Sequence, residues 1–440
     1  MKDPRLNILI IAHELSPEQG SECAVGWNMV VNLSRYHDIT VVYASSSQAN
    51  QNNAYLNAVN KYLNTHAPLQ IDFINVSQPR TTIFIAKLNR LFNKLGPTGL
   101  PMLYYLGYKY WHKSAFRMAQ QLHKIKLFDA VHQLTQISFR EPGYSYKLGI
   151  PFFWGPMGGT SSLPKKIYES LPLHFKFLEN VRRFSKFYHF LLVKRLKEAN
   201  KKASIIYSFT ELDAKRFRKI ATGKVKIMLD VGTHVHSEIP KMHTKENGVL
   251  KAIWCGRLST YKAPEILLKA IALSEVIKKN VHFQIIGNGP LEESLHNMAV
   301  NLGIENIEWI RQVNHDEVFM LFSQADFFIH TSLREATSSV IPEALSMGLP
   351  VICHDAYGMS IAVNEKCGIK IPFVSPEDSV VGFQKAIEKF TSDNELLTEM
   401  KVEARKRALE LTWEKMACII AEDYIEIINK NQESNLKNKE

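Results

Sequence analysis

The sequence lacks any long hydrophobic run. No apolar stretch in its 440 residues approaches the roughly 18 that a membrane-spanning helix needs, which argues against a polytopic membrane protein. The apolar run Ile8–Ala12 is too short to be the core of a signal peptide and predicts a first strand instead. No segment repeats with a period of about 20–50 residues, so a solenoid is excluded.

Cysteine is scarce and scattered. The five cysteines are odd in number, and no two of them form a Cys-x-x-Cys pair. Count and spacing therefore argue against both a disulfide framework and a zinc site, and the thiols fit a reducing cytosol.

Acidic residues are missing from one part of the chain, which makes its charge uneven. The net charge is +11, and residues 80–126 hold nine Lys or Arg and no Asp or Glu. Residues 165–202 hold eleven basic and three acidic side chains, whereas everything after Ala203 carries a net −4. A basic N-terminal half and a mildly acidic C-terminal half predict that only one half meets an anionic surface.

The pattern that the sequence does contain is that of parallel α/β domains. With 45% apolar residues the chain is globular, and its length predicts two or three domains. Short apolar runs alternate with helical periodicity, and Val235 to Gly248 is a polar stretch typical of a linker. We predict two Rossmann-like domains at residues 1–235 and 236–412, followed by a C-terminal helix and polar tail at 413–440.

Seven strands are predicted in the first domain and six in the second. They are Ile8–Ala12, Ile39–Tyr43, Ile71–Ile74, Ala130–His132, Pro151–Trp154, Ser204–Tyr207 and Val225–Leu229, then Ala252–Cys255, Phe283–Ile286, Ile307–Trp309, Phe327–His330, Val351–Cys353 and Gly368–Ile371. Predicted helices include Pro264–Ile277, Leu291–Asn301 and Ser339–Met347. The chain ends in an amphipathic segment from Trp413 to about Ile428, and the tail after Asn429 is expected to fray.

Residues that directly follow predicted strands carry the chemistry, because open α/β sheets bind ligands at the carboxyl ends of their strands. Arg257 and Lys262 place two cations beside a helix predicted to begin at Pro264, which suits a diphosphate. Two solvated side chains in a turn are an equally good interpretation of this pair. Gly287-x-Gly289 lacks the third glycine of a dinucleotide fingerprint and is weak evidence for a nicotinamide cofactor.

A second group of polar residues follows the predicted strand Phe327–His330. Glu335 lies on the loop, and Glu343 lies seven residues further on, inside a predicted helix. Ser338 and Ser339 offer hydroxyls and backbone N–H groups at the start of that helix. Such a site suits sugar hydroxyls, a ribose and a phosphate, although two carboxylates at this spacing are more often simply exposed charges.

Taken in order, these motifs resemble a known family. Gly256-Arg257-Leu258-x-x-x-Lys262, Gly287-x-Gly289-Pro290 and Glu335-x7-Glu343 look like the C-terminal donor-binding domain of family-4 retaining glycosyltransferases. The resemblance is specific over about residues 250–430 and looser before them, where Gly20-Ser21-Glu22 resembles the family's glycine loop. It implies the GT-B fold: two Rossmann-like α/β domains facing a cleft, with a last helix that returns to the N-terminal domain.

The resemblance also implies roles for individual residues. Arg257 and Lys262 would hold the donor diphosphate and stabilise it as it leaves. Glu335 would contact the hydroxyls of the donor sugar, and Glu343 would bind the ribose. The rest of the implied nucleotide-sugar site is Gly20, Gly256, Gly287, Ser338 and Ser339, with Gln312 and Val313 facing the base.

His132, at a strand end, is placed like the family's histidine that contacts the donor sugar. From the residues alone, a satisfied histidine at a strand end is the better interpretation. Two departures alter the shape close to the sugar and leave the donor open. Ala336-Thr337-Ser338 stands where the family has Gly-Phe-Gly, and Gln19 precedes Gly20 where the family has a second glycine.

The basic stretches 80–126 and 165–202 are interleaved with aromatic residues, which suits the interface of an anionic membrane. Ordinary helices with buried aromatics, single-stranded nucleic acid and a partner subunit are alternatives. We favour membrane docking, because no nucleic-acid motif accompanies the stretches and an enzyme that glycosylates lipid-linked acceptors works at a bilayer.

The resulting prediction is a retaining, hexosyl-type glycosyltransferase of polysaccharide biosynthesis. It would use a UDP- or GDP-sugar and a lipid-linked or oligosaccharide acceptor, in the cytoplasm at the inner face of the membrane. No Asp-x-Asp occurs in the chain, so no obligatory metal is expected. A nucleotide-sugar epimerase on the same fold and a non-catalytic, membrane-associated subunit are the alternatives.

Overall fold

A computed structural model describes residues 5–20, 22–48, 52–92, 99–235, 248–311 and 313–437. The chain forms two compact units. Unit 1 comprises Met1–Ser161, Leu173–Asp230 and Trp413–Glu440, and unit 2 comprises Ser162–Pro172 and Val231–Thr412. The predicted linker at Val235 to Gly248 lies mostly outside the described residues.

Unit 1 is built on seven strands. They are β1 (Asn7–Ala12), β2 (Asp38–Ala44), β3 (Ile71–Val76), β4 (Ala130–Thr135), β5 (Phe152–Met157), β6 (Ala203–Ser208) and β7 (Lys224–Ile227). All pairs are parallel and the order is β3-β2-β1-β4-β5-β6-β7, so the direction of winding reverses between β1 and β4. Ile8 pairs with Ile39 of β2 and Ala130 of β4, and the central strand is buried because helices cover the sheet.

The helices of unit 1 connect these strands. They are α1 (Glu22–Leu33), α2 (Ala54–Thr65), α3 (Arg80–Arg90), α4 (Pro101–Ile125), α6 (Leu173–Leu192), α7 (Lys194–Lys202), α8 (Glu211–Phe217) and α17 (Trp413–Lys437). Helix α5 (Lys165–Ser170) belongs to unit 2.

Unit 2 repeats the plan with six parallel strands. They are β8 (Leu250–Cys255), β9 (Val281–Ile286), β10 (Ile307–Ile310), β11 (Phe327–His330), β12 (Val351–His354) and β13 (Gly368–Ile371), in the order β10-β9-β8-β11-β12-β13. The helices are α9 (Pro264–Ala272), α10 (Glu275–Asn280), α11 (Glu292–Asn301), α12 (His315–Ser323), α13 (Val340–Ser346), α14 (Tyr357–Ala362), α15 (Pro376–Ser392) and α16 (Asn394–Glu410). The predicted pair of parallel, Rossmann-like α/β units is confirmed.

Three local expectations differ from the structure. Residues 162–172 were placed in the first domain but belong to unit 2, where α5 packs against α15. The helix expected over Pro264–Ile277 is interrupted, because the Ser274 hydroxyl accepts the Ile277 N–H and starts a second helix. The tail expected to fray after Asn429 continues α17 as far as Lys437.

Helix α17 belongs to unit 1, as the resemblance implied. Its Asp423 accepts a hydrogen bond of 2.9 Å from the Tyr207 hydroxyl of β6 and pairs with Lys226 of β7. The His37 imidazole lies 3.2 Å from the carbonyl oxygen of Ala421. These contacts hold the last helix against β6, β7 and His37, all of which lie far from it in the sequence. No helix in the described part of the chain is long and apolar enough to cross a membrane.

Candidate functional site

Unit 2 has its switch point between β8 and β11, where the strand order reverses. Ligands bind at this place in open α/β sheets, at the carboxyl ends of the strands. The loop after β8 carries Arg257 and Lys262, and the loop after β11 carries Glu335. Topology therefore brings two motifs that lie more than seventy residues apart in the chain to one edge of the sheet.

Lys262 and Glu335 form an ion pair at this edge, through Nζ and Oε1. Lys262 Nζ also lies 3.4 Å from the Ser338 hydroxyl, and the Ser332 hydroxyl lies 3.3 Å from the same Glu335 oxygen. Both charged side chains keep contact with solvent, with exposed fractions of 23% and 17%. A negatively charged ligand can therefore reach the pair and bind Lys262 in place of Glu335.

The backbone that carries Lys262 is fixed by β11. The Thr331 hydroxyl donates to the carbonyl oxygen of Lys262 over 2.7 Å and accepts from Trp254 Nε1 over 2.9 Å. Trp254 and Thr331 are buried. These two bonds hold the loop after β8 against the neighbouring strand, so the lysine is presented from a rigid support.

Arg257 is the second cation on the loop after β8. Its side chain is exposed, and no ion pair to it is found within the described ranges. The predicted helix follows as α9, with Ala263 in the left-handed region at φ 48° and Pro264 in the first turn. An unpaired guanidinium beside a helix start suits an anionic ligand.

Gly287 allows the loops after β8 and β9 to touch. Its φ is +136°, and a Cβ at this position would overlap the carbonyl oxygen of Gly256. A Cβ on Gly256 would meet only ordinary contacts, of which the nearest is Trp254 at 3.5 Å. The backbone therefore has room only for glycine at position 287, whereas position 256 can accept a Cβ.

Glu343 lies on α13 with its carboxylate 3.6 Å from the His315 imidazole of α12. The hydrogen bond and charge of Glu343 raise the pKa of His315. Ser338 is buried where it meets Lys262, and Ser339 is exposed at the start of α13. Val313 is half-buried just before α12, and Gln312 lies outside the described residues.

Two of the predicted site residues, Gly20 and His132, lie in the first half of the chain, and their surroundings differ. Gly20 is exposed, and no atom within the described chain would touch a Cβ placed on it. The backbone at Gly20 is thus open to approach, and its role toward a ligand stays a prediction.

His132 is fully buried in unit 1, and both ring nitrogens have hydrogen-bond partners. Nε2 lies 2.6 Å from the Gly155 carbonyl oxygen, so Nε2 carries the proton and Nδ1 accepts from the Tyr424 hydroxyl at 2.5 Å. Burial lowers the pKa of His132 to about 4 and keeps the ring neutral. The histidine ties α17 to the sheet through its two ring nitrogens.

Replacing His132 with alanine therefore tests a structural role. We expect the free energy of unfolding to fall by about 2–4 kcal/mol, because a cavity opens and two buried partners lose their hydrogen bonds. Tyr424→Phe removes one of those bonds and is expected to cost about 1 kcal/mol. Urea denaturation measures both. An unchanged stability with lost affinity for a nucleotide diphosphate would restore the ligand contact implied by the resemblance.

Unit 1 has its own polar cluster at the switch point between β1 and β4. Glu14 follows β1, is buried, and accepts hydrogen bonds from Tyr55 and from Tyr108 at 2.6 Å. The His13 imidazole lies 3.0 Å from the same carboxylate. Burial opposes ionisation of Glu14, but the charge and hydrogen bond of His13, together with the tyrosine hydrogen bonds, lower its pKa to about 2.

Glu22 is the second carboxylate of this cluster, at the start of α1. It accepts the Ile137 N–H over 2.5 Å, and burial together with the nearby Glu14 charge raises its pKa to about 8. Two neighbouring carboxylates with pKa values pushed apart are typical of functional sites. Neither Glu14 nor Glu22 is among the site residues predicted from the sequence. Glu14 was predictable from the sequence, because it comes shortly after the end of a strand, and ligands bind at such strand ends.

Glu22→Gln tests the raised pKa through the pH dependence of stability. An unfolded glutamate carboxyl has a pKa near its ordinary value of 4.5, whereas the folded Glu22 stays protonated up to about pH 8 because its pKa is raised. The folded state therefore loses stability between these pH values. We expect Glu22→Gln to raise the melting temperature at pH 8 and to leave it nearly unchanged at pH 4.5. Glu18→Gln is the control, because Glu18 is exposed. An equal gain at both pH values would contradict the shift.

No cluster of three or more His, Cys, Asp or Glu that could hold a metal ion occurs among the residues with a described structure.

The second half of the chain is similar to a known family. Residues 236–407 match the model of the family described as glycosyl transferases group 1. The chain is 28% identical over 186 residues to a D-inositol 3-phosphate glycosyltransferase of Streptomyces bingchenggensis. That alignment covers 40% of this chain and 40% of the relative, so the chain spans less than half the length of this curated relative.

Solved structures share the fold over nearly the whole chain. Sucrose-phosphate synthase from Thermosynechococcus elongatus is similar with a TM-score of 0.61 and 14% identity, covering 97% of this chain and 100% of that one. The Anabaena protein HepE, in complex with UDP and glucose, is similar with a TM-score of 0.55 and 15% identity, covering 95% and 99%. At these identities the similarity establishes the fold.

Proposed function

We propose that the chain, whose residues 236–407 match the group 1 glycosyl transferases, is a retaining glycosyltransferase that uses a nucleotide-diphosphate hexose. The observation that carries the proposal is the exposed Arg257 together with the accessible Lys262–Glu335 pair at the switch point of the matching unit. The UDP and glucose bound to HepE, a protein of the same fold, support a UDP-sugar as donor, with a GDP-sugar as the alternative.

In this mechanism the cations act on the leaving group. Arg257 and Lys262 would bind the diphosphate and stabilise the negative charge that grows as the sugar–phosphate bond breaks. Glu335 would then release Lys262 and accept hydrogen bonds from the sugar hydroxyls. Glu343 would bind the ribose through its carboxylate, which His315 already orients from 3.6 Å. The acceptor hydroxyl would attack the face from which the diphosphate departs and would lose its proton to the departing diphosphate oxygen. Bond formation on the same face retains the anomeric configuration.

The test is a donor panel followed by product analysis. A thermal-shift screen of UDP- and GDP-sugars identifies the donor, because a ligand that binds only the folded state raises the melting temperature. The labelled donor is then incubated with membrane lipid extract and with free oligosaccharides. Transfer with retained anomeric configuration supports the proposal, an interconverted free donor indicates an epimerase, and no stabilisation by any nucleotide sugar indicates a non-catalytic subunit.

We further propose that the acceptor is a lipid-linked glycan and that unit 1 docks on the cytoplasmic face of a membrane. Its helices α3, α4 and α6 expose large apolar side chains among their lysines and arginines. These side chains are Phe84, Leu88, Met102, Tyr110 and Ile125, and then Leu173, Phe177, Phe184, Phe187, Tyr188, Leu191 and Leu192. Exposed apolar groups beside cations suit an anionic bilayer, where each Lys or Arg contributes about 1 kcal/mol.

The double variant Phe184→Ser/Phe187→Ser tests this docking. Both side chains are about 60% exposed on one side of α6, so their removal should leave the stability unchanged. We expect binding to anionic vesicles to fall about thirtyfold, because roughly 1 kcal/mol of apolar burial is lost for each of the two phenylalanines. Co-sedimentation at low and high salt measures it. Val300→Ser is the control, 77% exposed in unit 2. No vesicle binding by the unmodified protein at low salt would refute the docking.

A further inference from the structure

Three segments of unit 1 meet at the carboxyl end of its sheet, at the switch point between β1 and β4. The Thr135 hydroxyl, at the end of β4, donates to the Glu14 carbonyl oxygen over 3.0 Å and accepts the Glu14 N–H over 3.1 Å. The Glu22 carboxyl, at the start of α1, accepts the Ile137 N–H over 2.5 Å. These bonds join the residues after β1, the residues after β4 and the start of α1 at a place where open α/β sheets bind ligands.

Glu14 supplies the negative charge of this place, and its bonds are made inside the unit. Its carboxylate is buried and accepts hydrogen bonds from the hydroxyls of Tyr108, over 2.6 Å, and Tyr55. The His13 imidazole lies 3.0 Å from the same group. With a pKa of about 2, Glu14 is ionised near neutral pH and acts as a fixed charge beneath the segments around it.

Glu22 differs from Glu14, because only one of its oxygens has a hydrogen-bond partner among the described residues. Oε1 accepts the Ile137 N–H, which leaves Oε2 for a ligand. The side chain is only partly buried. Burial and the Glu14 charge raise the pKa of Glu22 to about 8, so the carboxyl carries a proton near neutral pH. It therefore offers an O–H group that can donate to a ligand.

The Gln136 amide is a second group that lacks a partner here. Gln136 directly precedes Ile137, so its backbone is one peptide bond from the N–H that Glu22 accepts. The residue is 4% exposed, and its Oε1 has no hydrogen-bond partner in the described part of the chain. A buried oxygen without a partner costs free energy, which a donor on a ligand would recover. Gly20, two residues before Glu22, is exposed and leaves room for such a ligand.

The two groups together match a hydroxyl better than an ion. The Glu22 O–H needs an acceptor, and Gln136 Oε1 needs a donor. A hydroxyl does both at once, whereas an ammonium group only donates and a phosphate dianion only accepts. The charges of Glu14 and Asp230, which both raise the pKa of Glu22, also oppose an anion.

We propose that Glu22 and Gln136 bind a hydroxyl of the acceptor sugar at the switch point of unit 1. The Glu22 O–H donates to the hydroxyl oxygen, and the hydroxyl donates to Gln136 Oε1. The inference rests on the proposed glycosyltransferase function, because it names residues that hold the acceptor. The bound hydroxyl is one that does not react, since the reacting hydroxyl gives its proton to the departing diphosphate. Glu22 and Gln136 are thus positioning residues.

The full-length protein is titrated with the methyl glycosides of glucose, galactose, mannose and N-acetylglucosamine by saturation-transfer NMR, and the tightest is used for the variants. Glu22→Leu and Gln136→Leu are each expected to weaken its binding about three- to tenfold, the usual effect of one lost hydrogen bond. Glu22→Gln should bind within about twofold of the unmodified protein, because its amide oxygen can accept the Ile137 N–H and its NH₂ group can donate. Glu18→Leu is the matched control, since Glu18 is exposed and pairs with Lys61.

Two further measurements separate binding from a structural role. Gln136→Leu should not lower the melting temperature, because it removes a buried oxygen that has no partner in the described chain. Glucose 6-phosphate and glucosamine, which add a negative and a positive charge, should bind no more tightly than methyl glucoside. A lowered melting temperature of Gln136→Leu, or tighter binding of either charged sugar, would contradict the assignment.

The proposal is overturned if no methyl glycoside binds the unmodified protein, if Glu22→Leu binds normally, or if Glu22→Gln loses as much affinity as Glu22→Leu. Transfer from a labelled donor, measured in parallel, keeps this inference apart from the proposed function. Glycoside binding that depends on Glu22, in a protein that transfers no sugar, would refute the function and leave the site. Normal transfer with an unchanged acceptor KM in both leucine variants would refute the site and leave the function.

Discussion

Lys262→Ala is expected to lower the turnover number of sugar transfer by about a hundred- to a thousandfold. This is the usual effect of removing one group that stabilises charge developing in a transition state. The lysine would meet the departing diphosphate from a loop that the Thr331 hydroxyl fixes over 2.7 Å. The lost ion pair with Glu335 should cost about 1 kcal/mol of stability at most, because both side chains keep contact with solvent.

The measurement is the initial rate of transfer from a labelled donor, together with the melting temperature of each variant. Lys279→Ala is the matched control, since Lys279 is an exposed lysine of the same unit on α10. It should keep both its rate and its melting temperature. If Lys262→Ala loses folding and activity in equal measure, or if it transfers sugar at the normal rate, the proposed role of this residue is wrong.

Gly287→Ala is expected to destabilise unit 2 by about 2–5 kcal/mol. Two costs combine: a non-glycine residue at φ +136° is strained, and the new methyl group overlaps the carbonyl oxygen of Gly256. Relief would require the loops after β8 and β9 to separate. The Gly256 N–H donates to the carbonyl oxygen of Ile286 over 3.0 Å, and this bond would be lost. Activity should fall with the folded fraction.

Gly256→Ala provides the comparison, because a methyl group there meets atoms only at 3.5 Å and beyond. We expect its stability to stay within about 1 kcal/mol of the unmodified protein. Hydrogen exchange of the β8 and β9 peptides reports on unit 2 separately, which a global denaturation curve does not. Equal protection of these peptides in the two variants would contradict the assignment of Gly287 as the residue that the backbone requires.

The strands and the donor-side motifs were predictable because their signals are local. A buried parallel strand needs a short run of apolar, β-branched residues, and each of the thirteen predicted runs overlaps a strand of the two sheets. Arg257, Lys262 and Glu335 stand directly after such runs, where a ligand meets an open sheet. The sequence therefore indicated both the fold class and this edge of unit 2 without any long-range information.

Other features depended on partners that are distant in the chain. His132 was predicted at a strand end, like a ligand-binding residue, yet β4 continues to Thr135, and the hydroxyl of Tyr424 of α17, 292 residues away, donates to its Nδ1. The pKa values of Glu14 and Glu22 move apart only because burial and distant partners, such as Tyr108 for Glu14 and Ile137 for Glu22, surround the two carboxyl groups. No local pattern reports how a helix from the end of the chain packs.

The uneven charge of the chain likewise has one part that the sequence determines and another that only the tertiary structure determines. The sequence alone determined that residues 80–126 carry nine cations and no anions, because the number of charged residues does not depend on how the chain folds. The tertiary structure decided which cations of the two basic stretches, residues 80–126 and 165–202, remain available. Arg195 is neutralised by Glu141, whereas Lys109 lies at a cavity with apolar walls. Pairing and burial depend on distances between side chains, and only the packed helices of unit 1 set those distances.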